Sequence, residues 1–327
     1  MKRALTLMLL AVMAAASPAH AYLHLTLSIG SSQRPLKWNS TRVGWFATDR
    51  GASGVSATQF QVSIARAFAT WEGVPTASIT FQFIGFTSNV PFEDDGISTL
   101  GFAAEPELDR VLGATSFVVD TLTGELVESD VFFNSIFPWS TSGDAGRFDL
   151  QSVATHEIGH FVGLGHSALG ETEMRPEGRR VLASGAVMFP ISLGRGSIQD
   201  RELQPDDIAG ISGLYPDGGF AETTGAISGR IVRDGAGVLG AHVVAFNPRT
   251  GALIGGFSLG EGGAFQIAGL QPGPYVIRVE PLDDADIDSF FEPEGIDLDF
   301  QVTIHPRLAV APPGGASDRV DVAVRPK

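Results

Sequence analysis

Residues 156 to 166 read HEIGHFVGLGH, and this run constrains the chain more tightly than any other. On an α-helix, residues four apart share a face, with roughly 5–6 Å between their Cβ atoms, so His156 and His160 can converge on one metal ion. Gly163 follows His160 by three positions. A glycine there can take the positive φ that ends a helix and turns the chain back, so that His166 returns as a third ligand. The local fold is thus a helix, a glycine turn and a reversal. Three neutral imidazoles around zinc, at about 2.0–2.1 Å, leave the fourth tetrahedral position open for water. Water on such an ion has its pKa lowered to about 7. Glu157 is the candidate general base: it would take the water's proton during attack on a peptide carbonyl and pass it to the leaving amine. HExxH alone recurs by chance, whereas the five fixed positions here are far more specific.

The chain has seven histidines, and outside this run they are His20, His24, His242 and His305. They are scattered, so no second all-histidine site is expected.

Apolar periodicity places the motif in a layered fold. Phe60, Ile64, Ala67, Phe68 and Trp71 recur at helical spacing and predict a helix over 57–71, lying against a sheet. Segments 42–47, 79–84, 97–103, 114–119 and 126–133 carry β-branched and aromatic residues between turn formers, and read as strands. Asp149 can cap the motif helix, and Leu150, Val153, Ile158, Phe161 and Val162 give it an apolar face. Elements in this order suit an α/β architecture, with an extended peptide lying along an edge strand above the metal. The connection between His166 and Pro190 should wall the substrate pocket; it carries Glu171, Glu173, Arg175, Glu177, Arg179 and Arg180.

With these residues in view, the chain resembles the metzincins and, among them, the matrixin family of zinc endopeptidases. Members follow the third histidine with a serine and later set a methionine in a tight turn under the zinc; Ser167 and Met188, in AVMFP, match. Phe189 stands where a tyrosine is common. LQPDDIAGISGLYP, residues 203–216, resembles the family's C-terminal helix, in which paired acids, here Asp206 and Asp207, anchor the segment. ESDVFFN, residues 128–134, and DLQSVATHE, residues 149–157, are also similar, and the resemblance covers about residues 36 to 216. It implies a metzincin-type domain: a twisted, mostly parallel sheet with packed helices, catalytic Zn2+ on His156, His160 and His166, Glu157 as base, and Met188 as the structural methionine. No cofactor-binding residues beyond the metal ligands are implied.

Two departures bear on regulation. Animal matrixins are held latent by a pro-segment cysteine, and this chain has no Cys. Only roughly 15 residues lie between the expected leader and the first matrixin-like residues, which leaves no room for an inhibitory pro-domain of that kind. The histidines of the animal enzymes' structural zinc site are also missing. For Ca2+, Asp94, Asp95, Asp130 and other scattered acids could supply oxygen ligands, but no loop pattern assigns them.

MKRALTLMLLAVMAAASPAHA reads as a secretory signal peptide: Lys2 and Arg3, an apolar stretch, then small residues ending at Ala21. The stretch is too short, and too interrupted by Ser17 and Pro18, for a membrane anchor, and no later run reaches spanning length. The expected location is extracellular, or periplasmic in a double-membrane bacterium. Without cysteines, stability must come from burial, which a chain of 327 residues in two domains can supply. The net charge of −15 repels phosphate backbones and argues against nucleic acid as a partner. Protein or peptide substrates are the expected partners; the sequence says nothing of oligomeric state.

After Pro216 the texture changes. Residues 217–224 read as a linker, and then short alternating segments recur between turns: AISGRIVR, AHVVAFN, ALIGGFSL, GAFQIAGL, PYVIRVEP and RVDVAVRP. They predict a small all-β antiparallel sandwich over 225–327. Most of residues 224 to 281 resembles the carboxypeptidase regulatory-like, transthyretin-like fold, whose modules commonly serve accessory or adhesive roles. Between its strands, residues 280 to 299 hold many acids, among them Asp283, Asp284, Asp286, Asp288, Asp297 and Asp299, which read as a solvated loop. The expected organisation is therefore a signal peptide 1–21, a matrixin-like domain 22–216, the linker, and the sandwich. A competing class is a secreted adhesion protein, with zinc merely bracing the first domain through a fourth protein ligand.

Overall fold

The computed structural model describes residues 24–327 apart from 30–31, 177, 260–261, 283–289, 291–295 and 318. The expected leader, Glu177, and Asp283, Asp284, Asp286 and Asp288 lie outside the described residues.

A six-stranded sheet forms the frame of the N-terminal part. Across it run Thr80–Thr87, Arg42–Thr48, Thr99–Ala103 and Glu125–Asn134, all parallel. Lys37–Trp38 adds parallel to the start of Glu125–Asn134, and Gly113–Val119 pairs antiparallel along it as an outer edge. The expected strands and the mostly parallel sheet are therefore present. Thr80–Thr87 runs further than its apolar run suggested, because its pairing with Arg42–Thr48 continues to Thr48 and Thr87 and leaves Ile84 and Phe86 exposed. Thr99–Ala103 starts two residues late: Ile97 donates its N–H to Asp95 Oδ1, a local bond that ends a turn rather than extending a strand.

Helix α1, Ala57–Glu72, starts with a capping box, in which Ser56 and Gln59 each accept the other's backbone N–H. Its apolar stripe, Phe60, Ile64, Ala67, Phe68 and Trp71, is buried. Phe68 joins sheet to second helix, stacking on Trp45 at 4.9 Å and meeting Phe161 edge-on at 5.3 Å. That second helix, α2, spans Leu150–Phe161 and carries the histidine motif. Trp71 Nε1 donates to Thr155 O at 2.8 Å and Trp38 Nε1 to Phe161 O at 2.9 Å, so indoles from two elements tie the α2 backbone to the core. Helix α3, Pro205–Leu214, closes the layer; Tyr215 beyond it donates its hydroxyl to Val162 O at 2.8 Å.

The expected linker is not an open tether. It holds a single helical turn, α4, Phe220–Thr223. Beyond it lie two sheets. One sets Gly225–Arg233 between Ala236–Gly237 and Ala264–Leu270; the other orders Leu253–Phe257, His242–Phe246, Gly273–Glu280 and Thr303–Ile304, with Ala309–Ala311 also on Gly273–Glu280. Their alternating apolar residues share one core, including Ile227, Ile231, Val243, Ile267, Ile277 and Phe300. Purely antiparallel pairing does not hold. Val322–Ala323 runs parallel to Ile231–Val232, because the chain after Ala311 returns alongside the first strand in the same direction, with Val320 N–H bonded to Ser228 O and Val324 N–H to Val232 O. Among the described residues, no helix is long and apolar enough to cross a membrane.

Candidate metal centre

Helix α2 is capped by Asp149, whose Oδ1 accepts from Ser152 N at 2.9 Å and whose carboxylate is held by Arg201. With the N-terminus fixed, the helix delivers His156 and His160 to one face, and Val162 caps its other end. Gly163 then sits at φ +99°, and a Cβ built there would lie 2.0 Å from Leu36 O. Glycine is required on both counts, since L side chains are strained at positive φ and this one has no space. The reversal brings His166 back. The three rings lie 4.7 to 5.4 Å apart by centroid, and their ligand atoms fall within 4.8 Å of one another.

The tautomers follow from chemistry. His156 Nδ1 lies 2.7 Å from Val187 O and His160 Nδ1 lies 2.8 Å from Leu164 O. A carbonyl only accepts, so each Nδ1 carries the proton and each Nε2 keeps its lone pair. His160 Nε2 and His166 Nε2 stand 3.1 Å apart. Two nitrogens bonded to one tetrahedral zinc are about 3.3 Å apart, so this spacing fits a shared ion. Burial holds His156 below its usual pKa; it holds His160 well below, with the neighbouring imidazoles of His166 and His156 adding to the effect. Both are favoured neutral, the form that binds metal.

Glu157 is buried against the outer edge strand. Thr115 Oγ1 donates to its Oε2 at 2.8 Å, and a Cβ built on Gly113 would come within 3.2 Å of its side chain. Burial pushes the Glu157 carboxyl up to about 7, and the Thr115 hydroxyl partly opposes that. Beneath the helix lies Met188, 3% exposed. A Cβ built on Gly159 would sit 2.2 Å from Met188 Sδ, so the glycine inside the motif lets the methionine pack directly under the histidines. Asp207 holds the turn around Met188 by accepting from Val187 N at 2.9 Å and Met188 N at 3.1 Å.

All five residues singled out in the sequence therefore fall in one region, with the three histidines convergent. Thr115, Gly113 and Gly159 were not anticipated. The first two come from an edge strand far away in the chain, and only the position of Gly159 inside the motif hinted at a packing role.

The acids considered for calcium behave differently. Asp130 spends both oxygens on backbone, accepting from Phe92 N at 2.6 Å and Thr99 N at 2.7 Å. Glu128 accepts from Gly96 N at 2.5 Å. Among the described residues, the histidine trio is the one group of three or more such side chains positioned to hold a metal ion. Of the later acids, Asp297 pairs with Arg233 at 2.8 Å.

His156 and His160 on α2, His166 after the glycine turn, and the buried Glu157 beside them define an α/β protein with a three-histidine candidate metal centre. The Matrixin family model, Peptidase_M10, matches residues 37–216, more than half of the chain. The chain belongs to the matrixin family. It is similar to Metalloendoproteinase 2-MMP of Arabidopsis thaliana, 31% identical over 46% of this chain and 35% of that protein. It is likewise similar to Metalloendoproteinase 1 of Glycine max, 33% identical over 48% and 45%, and to Matrilysin of Rattus norvegicus, 33% identical over 39% and 35%. The chain thus spans less than half the length of these curated relatives.

Proposed function

We propose that this chain is a secreted zinc endopeptidase that hydrolyses internal peptide bonds, with His156, His160 and His166 as ligands and Glu157 as general base. What carries the reading is the convergence of three imidazole nitrogens beside the buried carboxylate of Glu157, which shares α2 with His156 and His160. A bound zinc would supply Lewis acidity, making water a better acid and polarising the scissile carbonyl. Glu157 accepts the proton of the attacking water and returns it to the departing amine. Thr115 orients the Glu157 carboxyl through Oε2, which leaves Oε1 to handle the proton. The side of Gly113–Val119 that pairs with no strand among the described residues receives an extended substrate by main-chain hydrogen bonds, antiparallel pairing being available to any sequence. The backbone carbonyls Val187 O and Leu164 O hold two of the ligands in register by fixing ring orientation and tautomer.

The C-terminal sheets we read as an accessory β-sandwich of the transthyretin-like kind, and the leader as a signal for export. The adhesion alternative required a closed, four-ligand centre. Among the described residues no fourth His, Asp or Glu joins the trio, which favours the open, hydrolytic reading. The test is incubation of the purified full chain with casein, with and without a chelator, alongside Glu157→Ala. Hydrolysis should require metal and disappear in the variant while zinc content stays unchanged. Chelator-resistant cleavage, or cleavage by Glu157→Ala, would overturn the mechanism.

A further inference from the structure

Asp206 is a buried carboxylate whose two oxygens serve different parts of the molecule. Oδ2 accepts from Ser167 Oγ at 2.7 Å, and Oδ1 accepts from the backbone N–H of Gly255 at 2.8 Å. Ser167 directly follows His166, and its own N–H donates to Met188 O at 2.9 Å. Gly255 lies in Leu253–Phe257, the outer strand of the second C-terminal sheet. Alternate N–H groups of an edge strand have no partner within the sheet, and Asp206 satisfies this one.

Packing follows the same line. Leu169 and Ala186 are buried against Val244 and Leu253, and Ala168 and Phe189 against Phe257, Leu282 and Phe290. The Phe290 ring lies 6.0 Å from that of His166. A Cβ built on Gly255 would stand 3.2 Å from Leu169 Cγ, so the sheet backbone rests directly on the segment after the third histidine. An appended module on a tether would meet its neighbour through a polar, hydrated surface. Here a shared carboxylate and two apolar clusters join the parts.

We propose that the C-terminal sheets form a wall of the histidine centre, and that Asp206 is a positioning residue coupling Gly255 to His166 through Ser167. This rests on the zinc reading above. Removing the carboxylate would take the acceptor from the Ser167 O–H and from the Gly255 N–H in a buried place, freeing the segment that carries one ligand and the methionine below it.

The test uses the full chain and the metal alone. Zinc affinity is measured by competition with a chromogenic chelator, the visible spectrum of the Co2+-loaded protein reports ligand geometry, and thermal melting reports stability. Asp206→Ala should weaken zinc about 10–100-fold and alter the Co2+ spectrum. Asp206→Asn, which can still accept from Gly255 and donate to Ser167 Oγ, should stay within about threefold and keep the spectrum. Leu253→Ala loosens the contact from the sheet side and should weaken zinc by about threefold or more. Ile277→Val, inside the C-terminal core, should lower the melting temperature and leave zinc affinity unchanged. If Asp206→Ala does not fold, Leu253→Ala carries the test. Zinc affinity within twofold of the parent in Asp206→Ala, or in a Leu253→Ala protein that merely melts earlier, overturns the proposal. A parent chain that binds no zinc overturns the underlying reading and this inference with it.

Discussion

The two parts of the molecule bury different things. In the N-terminal part, Glu128, Asp130, Asp149, Glu157, Asp206 and Asp207 are all buried, each held by backbone N–H groups, a hydroxyl or an arginine. The C-terminal core is nearly all aliphatic and aromatic, and among the described residues its buried ionisable pair is His242 with Glu280, 2.9 Å apart. Burying a carboxylate costs stability unless its partners are good, so a region that buries six has accepted that cost for geometry. A region that buries mostly hydrocarbon gains stability from that burial. The difference teaches that the first part holds its polar groups in fixed positions, the arrangement the proposed chemistry needs, while the second is built mainly from apolar packing.

Substitutions can break this contrast, beginning with the largest effect. Glu157→Ala should lower kcat by about 10²–10⁴-fold with zinc content and melting temperature close to the parent, as measured by peptide hydrolysis and metal analysis. Gly163→Ala should cost about 3 kcal/mol or more in urea unfolding, because it combines positive φ with a collision against Leu36 O. Survival of Gly163→Ala with unchanged stability would show that the reversal after α2 is not as drawn. Gly159→Ala should cost about 1–3 kcal/mol and weaken zinc, since Met188 must give way beneath the histidines.

The buried acids also set a pH dependence. Burial pushes Asp130 up to about 7 against an ordinary value of 3.8. The folded state therefore holds a proton that the unfolded state releases across that window, and stability falls as pH rises through it. Urea melts should show the parent about 2–3 kcal/mol less stable at pH 8 than at pH 5 through this group, and Asp130→Asn should flatten that slope. A slope identical in the two proteins would acquit Asp130. The smallest effect sharpens the other side of the contrast: Ile277→Val should cost about 1 kcal/mol and leave hydrolysis untouched.

Legibility divided along the same physical line. The stripe from Phe60 to Trp71, the cap at Asp149 and the ligand spacing are local patterns, so they could be read from neighbouring letters. The end of Thr80–Thr87 and the parallel return of Val322–Ala323 were misjudged, because pairing with a distant strand decided them. Thr115 was invisible as a partner of Glu157, being 42 residues away. A lone threonine in an apolar strand carries no mark of what it will touch.

By itself the sequence determined the spacing of the three histidines, the glycine turn that brings them together, and the apolar alternation of the main strands. These depend on helical and strand periods and on φ at single positions, which are short-range properties of the chain. Tertiary structure alone decided that Thr115 would bond the Glu157 carboxylate, that Asp130 would be consumed by backbone rather than left for a cation, and that Asp206 would reach Gly255, 49 residues on. Those contacts are set by how whole layers pack, and packing conditions many residues at once without writing a period into any one segment.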